Sequence, residues 1–151
     1  MIEGVRVSEI KVKADERGRL CELFRKDDPD TVDFAQVHLT TLYPGVVKAW
    51  HRHREKSDVI TVVSGMARIG LYDDRRKSKT EGEVNEFYLG IHRPMRLLVP
   101  PGVWFGLKCV GPTEALVLVL TDRLHQAKVP DEETLDPEAN DIPFDWDLRQ
   151  H

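Results

Sequence analysis

Cysteine is scarce in this chain. Cys21 and Cys109 are the only two, far apart and outside any CxxC pair. That argues against a disulfide framework, and both are expected to be reduced thiols, small buried hydrophobes in a cytosolic setting. Long hydrophobic runs are missing as well: no window approaches the roughly 18 apolar residues of a membrane span. The opening Met-Ile-Glu-Gly-Val-Arg is charged from its third residue and does not read as a secretory signal. Nor is there an excess of positive charge. A net charge of −4 argues against generic nucleic-acid binding, which depends on clustered basic residues, although a local cluster could still hold a phosphate. Internal repeats, low-complexity tracts, interdomain linkers and long segments of 3.6-residue period are also lacking. With 151 residues, 40% hydrophobic and 32% charged, the expectation is one soluble, cytoplasmic globular domain spanning residues 1–151. A chain of this size buries roughly two thirds of its unfolded surface.

What the sequence does have is short β patterns with Gly and Pro punctuation. Residues 4–13 alternate apolar and polar with period two, the mark of a half-buried strand. Asp15 to Gly18 is a charged turn, and residues 19–24 are expected to pair back on the first strand. Residues 27–33 form an acidic loop with room for one helical turn. Residues 34–42 are strand-like until Pro44-Gly45. Further strands are expected over 66–72, 84–89, 96–99, 103–110 and 114–120, the last so apolar that both its faces should be covered. Beyond Thr121 the hydrophobic density collapses into a polar surface arm that closes with Ile142-Pro-Phe-Asp-Trp146. Roughly ten short strands at about ten-residue spacing predict an all-β barrel or sandwich.

Chemistry concentrates in residues 45–65. His51 and His53 stand at strand spacing, so both imidazoles face one side of a sheet. Asp58 follows, then the β-branched run Val-Ile-Thr-Val-Val and the turn signal Ser64-Gly65.

Asp15-Glu-Arg-Gly18 with Glu22, Gln36 in Phe-Ala-Gln-Val-His, Gly45, Lys-Ala-Trp-His51, Val62-Val-Ser-Gly65, Tyr72-Asp-Asp-Arg-Arg-Lys-Ser78, Val99-Pro-Pro-Gly102 and Asp136-Pro with a trailing Trp146 occur in an order and spacing that resemble the dTDP-4-dehydrorhamnose 3,5-epimerase family of cupins. The resemblance runs from Gly4 to about Trp146. It implies a double-stranded β-helix jelly roll with an extended polar C-terminal arm. It also implies a homodimer that exchanges N-terminal strands, and a nucleotide-diphosphate sugar as ligand, handled without a cofactor. It further implies His51 as the base that removes a proton beside a 4-keto group, supported by Asp136. A neutral imidazole backed by a carboxylate suits that task. Arg17, Glu22, Gln36, Lys48, His53 and Arg75 are the implied substrate contacts. Lys48 stands where the family usually has an arginine, keeping the charge without the bidentate fork.

The chain also departs from that family. The expected general-acid tyrosine falls at Leu118, a second histidine at Phe105, and a lysine at Asp58. An isomerase without its usual tyrosine could perform part of the reaction or act on another sugar. Two readings stand beside it: a catalytically silent sugar-nucleotide-binding cupin, and a small-molecule cupin in which His51, His53 and Asp58 hold a divalent metal. Plainer readings also apply. His53 between Arg52 and Arg54 fits a solvated strand end, Asp136 a turn former before Pro137, Arg75-Arg76-Lys77 a solvated turn, and Trp104 with Phe105 a core pair. His92, His125 and His151 lie in loops or at the terminus and support no assignment.

Overall fold

β-branched and aromatic residues in short alternating runs favour pleated strands, because side chains then stand off both faces without crowding a helical turn. The computed structural model describes residues 1–148; His151 and its two predecessors lie outside them. Twelve strands account for its regular structure: β1 (Arg6–Glu9), β2 (Val12–Asp15), β3 (Gly18–Cys21), β4 (Gln36–Leu42), β5 (Val47–His53), β6 (Asp58–Ser64), β7 (Met66–Asp73), β8 (Val84–Gly90), β9 (Met95–Val99), β10 (Val103–Cys109), β11 (Ala115–Thr121) and β12 (Glu132–Thr134). They form two antiparallel five-stranded sheets, β1-β9-β6-β11-β4 and β12-β5-β10-β7-β8, plus the separate ribbon β2-β3. This is the expected all-β jelly roll. Among the described residues, no helix is long and apolar enough to cross a membrane.

The core fills the space between the two sheets. Ile60, Val62, Ala115, Val117 and Val119 from one side meet Ala67, Ile69, Leu71, Phe105 and Leu107 from the other. Each Val, Leu, Ile or Phe side chain among them, fully buried, contributes on the order of 1.5–3 kcal/mol. β6 turns directly into β7 at Gly65, whose φ of +70° and whose closeness to the Glu114 carbonyl exclude a Cβ.

Three expectations are revised. The continuous pattern over 4–13 is two strands, broken at buried Ile10, whose N–H donates to the Pro94 carbonyl. β1 then pairs with β9, while β2 pairs with a shortened β3. β11 is not covered on both faces within this chain: Leu116 and Leu118 are only half-buried on its outer side. The polar arm is not merely a surface segment, because β12 adds a strand to the edge of β5. Further along, Ile142, Phe144 and Trp146 pack with Trp50 and Trp104 against the outside of the second sheet. Gly70 and Gly106 are required there, since a Cβ on either would come within 2.8 Å of the Phe144 ring or 2.7 Å of the Trp146 ring.

Candidate active site

The geometry of the site begins with a register slip. His51 of β5 pairs with Phe105 of β10, but Leu107 pairs with Lys48, so three residues of β5 span two of β10. In a regular strand, residues three apart point to opposite faces. The extra residue restores parity, and Lys48, His51 and His53 all line the hollow between the sheets. Trp50, displaced to the outer face, is fully buried under the arm.

The hollow measures about 500 Å³, within the range of sites for small ligands. Gln36, His38 and Thr40 of β4 and Val119 of β11 line it from one sheet, and Lys48, His51, His53, Phe105 and Leu107 from the other. Leu39, Lys56, Asp58, His125 and Glu132 complete the lining. A larger depression, about 890 Å³, lies among Phe24, Arg25, Lys26, Asp28, Asp33 and Phe34, and none of the described residues that line it is a histidine.

Glu132 is the carboxylate beside His51. Its Oε1 lies 2.8 Å from His51 Nδ1. The two are at ion-pair distance, although the angle is not that of an in-line hydrogen bond. In register Glu132 faces His53 and Thr134 faces His51, so the contact is diagonal across the β5–β12 pair. His53 is engaged differently: its Nε2 lies 3.1 Å from Asp58 Oδ2, and both side chains are almost fully buried. His53 Nδ1 and Asp58 Oδ1 are buried without a protein partner, which leaves polar capacity for a bound group. Phe105 packs against both imidazoles, its ring centroid 5.8 Å from each. Lys48 Nζ donates to Thr40 Oγ1 at 2.9 Å, and Gln36 Oε1 accepts from the His125 N–H at 2.8 Å.

The hollow therefore brings together His51, His53, Lys48, Gln36 and Asp58 of the residues singled out in the sequence. It does not bring in Asp136, Arg17, Glu22 or Arg75. Asp136 is exposed, and its carboxylate accepts from the Glu138 and Ala139 N–H groups, bonds that hold it below the usual carboxylate range. Arg17 and Glu22 are exposed on and beside the β2-β3 ribbon, paired with Asp15 and Arg25. Arg75 clasps buried Asp73 and donates to the Glu3 carbonyl, tying the N-terminal segment to β7. Burial alone would raise the Asp73 carboxyl, but bonds from Arg75, Thr80 and Ser78 outweigh it and hold the group far below its ordinary value.

Four titratable residues of the hollow carried no sequence assignment: His38, Lys56, His125 and Glu132. His38 shares the inner face of β4 with Gln36 at period two, a signal present in Phe-Ala-Gln-Val-His. Glu132 sits in an acidic arm without periodicity and gave no signal. Leu118 does not line the hollow; the residue of β11 that does is Val119, and among the described residues no tyrosine lines it. Among the described residues, no three His, Cys, Asp or Glu side chains are grouped as a metal ion would need.

A family model for dTDP-4-dehydrorhamnose 3,5-epimerase matches residues 1–151. The Haloferax volcanii protein named "Probable low-salt glycan biosynthesis epimerase Agl13" is 37% identical over 152 residues, covering 99% of this chain and 97% of its own. The Bacillus subtilis spore coat polysaccharide biosynthesis protein SpsL is 36% identical over 146 residues, 97% of each chain. Among solved structures, a dTDP sugar isomerase from Desulfovibrio desulfuricans G20 superposes with a TM-score of 0.91 at 34% identity, over 96% of this chain and 92% of that one.

Proposed function

This chain belongs to the dTDP-4-dehydrorhamnose 3,5-epimerase family, and on that premise we propose that it epimerises a nucleotide-diphosphate 4-keto-6-deoxyhexose in glycan or polysaccharide biosynthesis. The observation that carries this reading is His51 in a hollow of about 500 Å³ with Glu132 2.8 Å from its Nδ1. The hydrogen on the carbon beside a ketone is acidic because the electron pair left behind spreads onto the carbonyl oxygen. His51 takes that proton through Nε2, and the Glu132 carboxylate at Nδ1 orients the ring and stabilises the imidazolium. A base placed in this way contributes on the order of 10²–10⁴ in rate. Lys48 offers a fixed ammonium to the developing oxyanion. Phe105 and Leu107 give the sugar an apolar wall, while His53 and Asp58 keep unpartnered polar atoms for its hydroxyl groups. The chemistry uses no cofactor.

The protein works as a cytoplasmic homodimer. Val37 and Leu39 are 43% and 56% exposed on the outer face of the first sheet, beside half-buried Leu116 and Leu118, a surface suited to a second copy. Exchange of N-terminal segments would carry Arg17 and Glu22 of the β2-β3 ribbon to the neighbouring hollow, where a diphosphate and ribose need a cation and hydrogen-bond acceptors. Incubation with dTDP-4-keto-6-deoxyglucose in deuterium oxide tests the reading: deuterium entering C3 or C5 supports it. Tight dTDP binding with no exchange across several keto sugars would replace it with a silent binder.

A further inference from the structure

Epimerisation needs two proton transfers on opposite faces of one carbon, and His51 supplies only the first. Among the described residues, no phenol lines the hollow. We propose that His38 is the second catalytic residue, the donor that protonates the carbon from the face opposite His51. This rests on the proton abstraction proposed for His51 and deepens it.

Placement carries the argument. β4 and β5 are consecutive strands that leave the turn at Pro44-Gly45 into different sheets, joined just past it by the Lys48–Thr40 hydrogen bond. Beyond that bridge they diverge as two walls of the hollow. His38 lies two residues past Thr40 on one wall, and His51 three residues past Lys48 on the other. Across the first sheet His38 pairs in register with Val119, the inward residue of β11, so the imidazole stands beside the one strand of that wall that offers no proton.

The other proton-bearing groups of the hollow are less suited. Lys48 stands on the same wall as His51, His53 is held by Asp58, and Lys56 and His125 come from loops rather than from the strands of the facing wall. His38 is reachable by solvent, so it can regain a proton after each turnover. Desolvation holds its imidazole below the ordinary histidine value, with Lys56 and His53 acting in the same sense and the Asp58 and Glu132 carboxylates opposing them. Its charged form is therefore a ready donor.

The step balances. The C–H proton passes to His51, and its electron pair becomes the C=C of an enolate with the charge on oxygen. That π pair then takes a proton from the His38 imidazolium on the far face, and the carbonyl re-forms. His51 releases its proton to solvent and neutral His38 takes one up.

The test follows dTDP-4-keto-6-deoxyglucose in deuterium oxide by NMR, reading deuterium content and configuration at C3 and C5 separately. His38→Asn and His38→Gln are compared with wild type and His51→Ala; His38 is exposed, so neither substitution disturbs the core. With His38 replaced, exchange by His51 continues within about 10-fold of wild type while inversion falls by about 100-fold or more. Inversion at the wild-type rate in both variants overturns the donor role alone. So does an equal loss of exchange and inversion. A wild-type protein that neither exchanges nor inverts overturns the abstraction itself, and the donor with it.

Discussion

Glu132 reaches His51 diagonally across the β5–β12 pair, its Oε1 2.8 Å from the imidazole Nδ1. The carboxylate proposed to support His51 thus comes from the arm that follows β11. Glu132→Gln keeps the size of the side chain and removes the charge that stabilises the imidazolium. Deuterium exchange should fall on the order of 10-fold or more, with dTDP affinity by calorimetry changed little. An unchanged exchange rate would remove Glu132 from the site.

The arm is fixed at its far end. Trp146 packs 5.0 Å from Trp50, Lys108 Nζ donates to its carbonyl at 2.6 Å, and Leu135 and Trp50 exchange backbone hydrogen bonds. Trp146→Ala removes a large buried ring, an expected cost of about 3 kcal/mol in denaturant unfolding. It should also lower exchange activity by loosening β12 and with it Glu132. Loss of stability with full activity would separate the two.

Asp73 is fully buried and collects bonds from Arg75, Ser78 and Thr80. Its folded-state pKa lies below the model-compound value of 3.8. The stabilisation is therefore fully present above about pH 4 and is lost as pH falls through the lower folded value. Asp73→Asn should cost roughly 2–4 kcal/mol at pH 7, with a smaller difference from wild type at pH 2, by urea denaturation at each pH. A constant difference would contradict this.

Much of this was legible in the sequence, and the failures have physical causes. The all-β class, with roughly ten of the twelve strands, followed from period-two runs between Gly and Pro turns, the jelly roll from the family resemblance, and the inner face of β5 from His51 and His53. Lys48, three residues before His51, belongs on that face only because of the slip opposite Phe105 and Leu107, which no alternation rule contains. The break at Ile10 was hidden because a buried residue at a kink continues the apolar pattern. Glu132 could not be found locally: an Asp-Glu-Glu-Thr stretch has no buried face of its own, and its place is set by Phe144 and Trp146 packing a dozen residues later. The resemblance implied Asp136 as a site residue, whereas its carboxylate accepts from the Glu138 and Ala139 N–H groups, as the turn-former reading of aspartate before proline has it.

Leu39→Glu places a charge on the outer face where Val37 and Leu39 are exposed. Light scattering should give a dimeric mass for wild type and a shift toward monomer for the variant, with circular dichroism unchanged. A monomeric wild type would sink the proposed dimer.

Proton removal by His51 is the step on which the proposed epimerisation depends. Dilute protein is incubated with dTDP-4-keto-6-deoxyglucose in deuterium oxide, and C3 and C5 are followed by NMR beside the His51→Ala variant. Incorporation by wild type, reduced at least about 100-fold in the variant, is the predicted result. Equal incorporation by both proteins, or none by wild type, contradicts it.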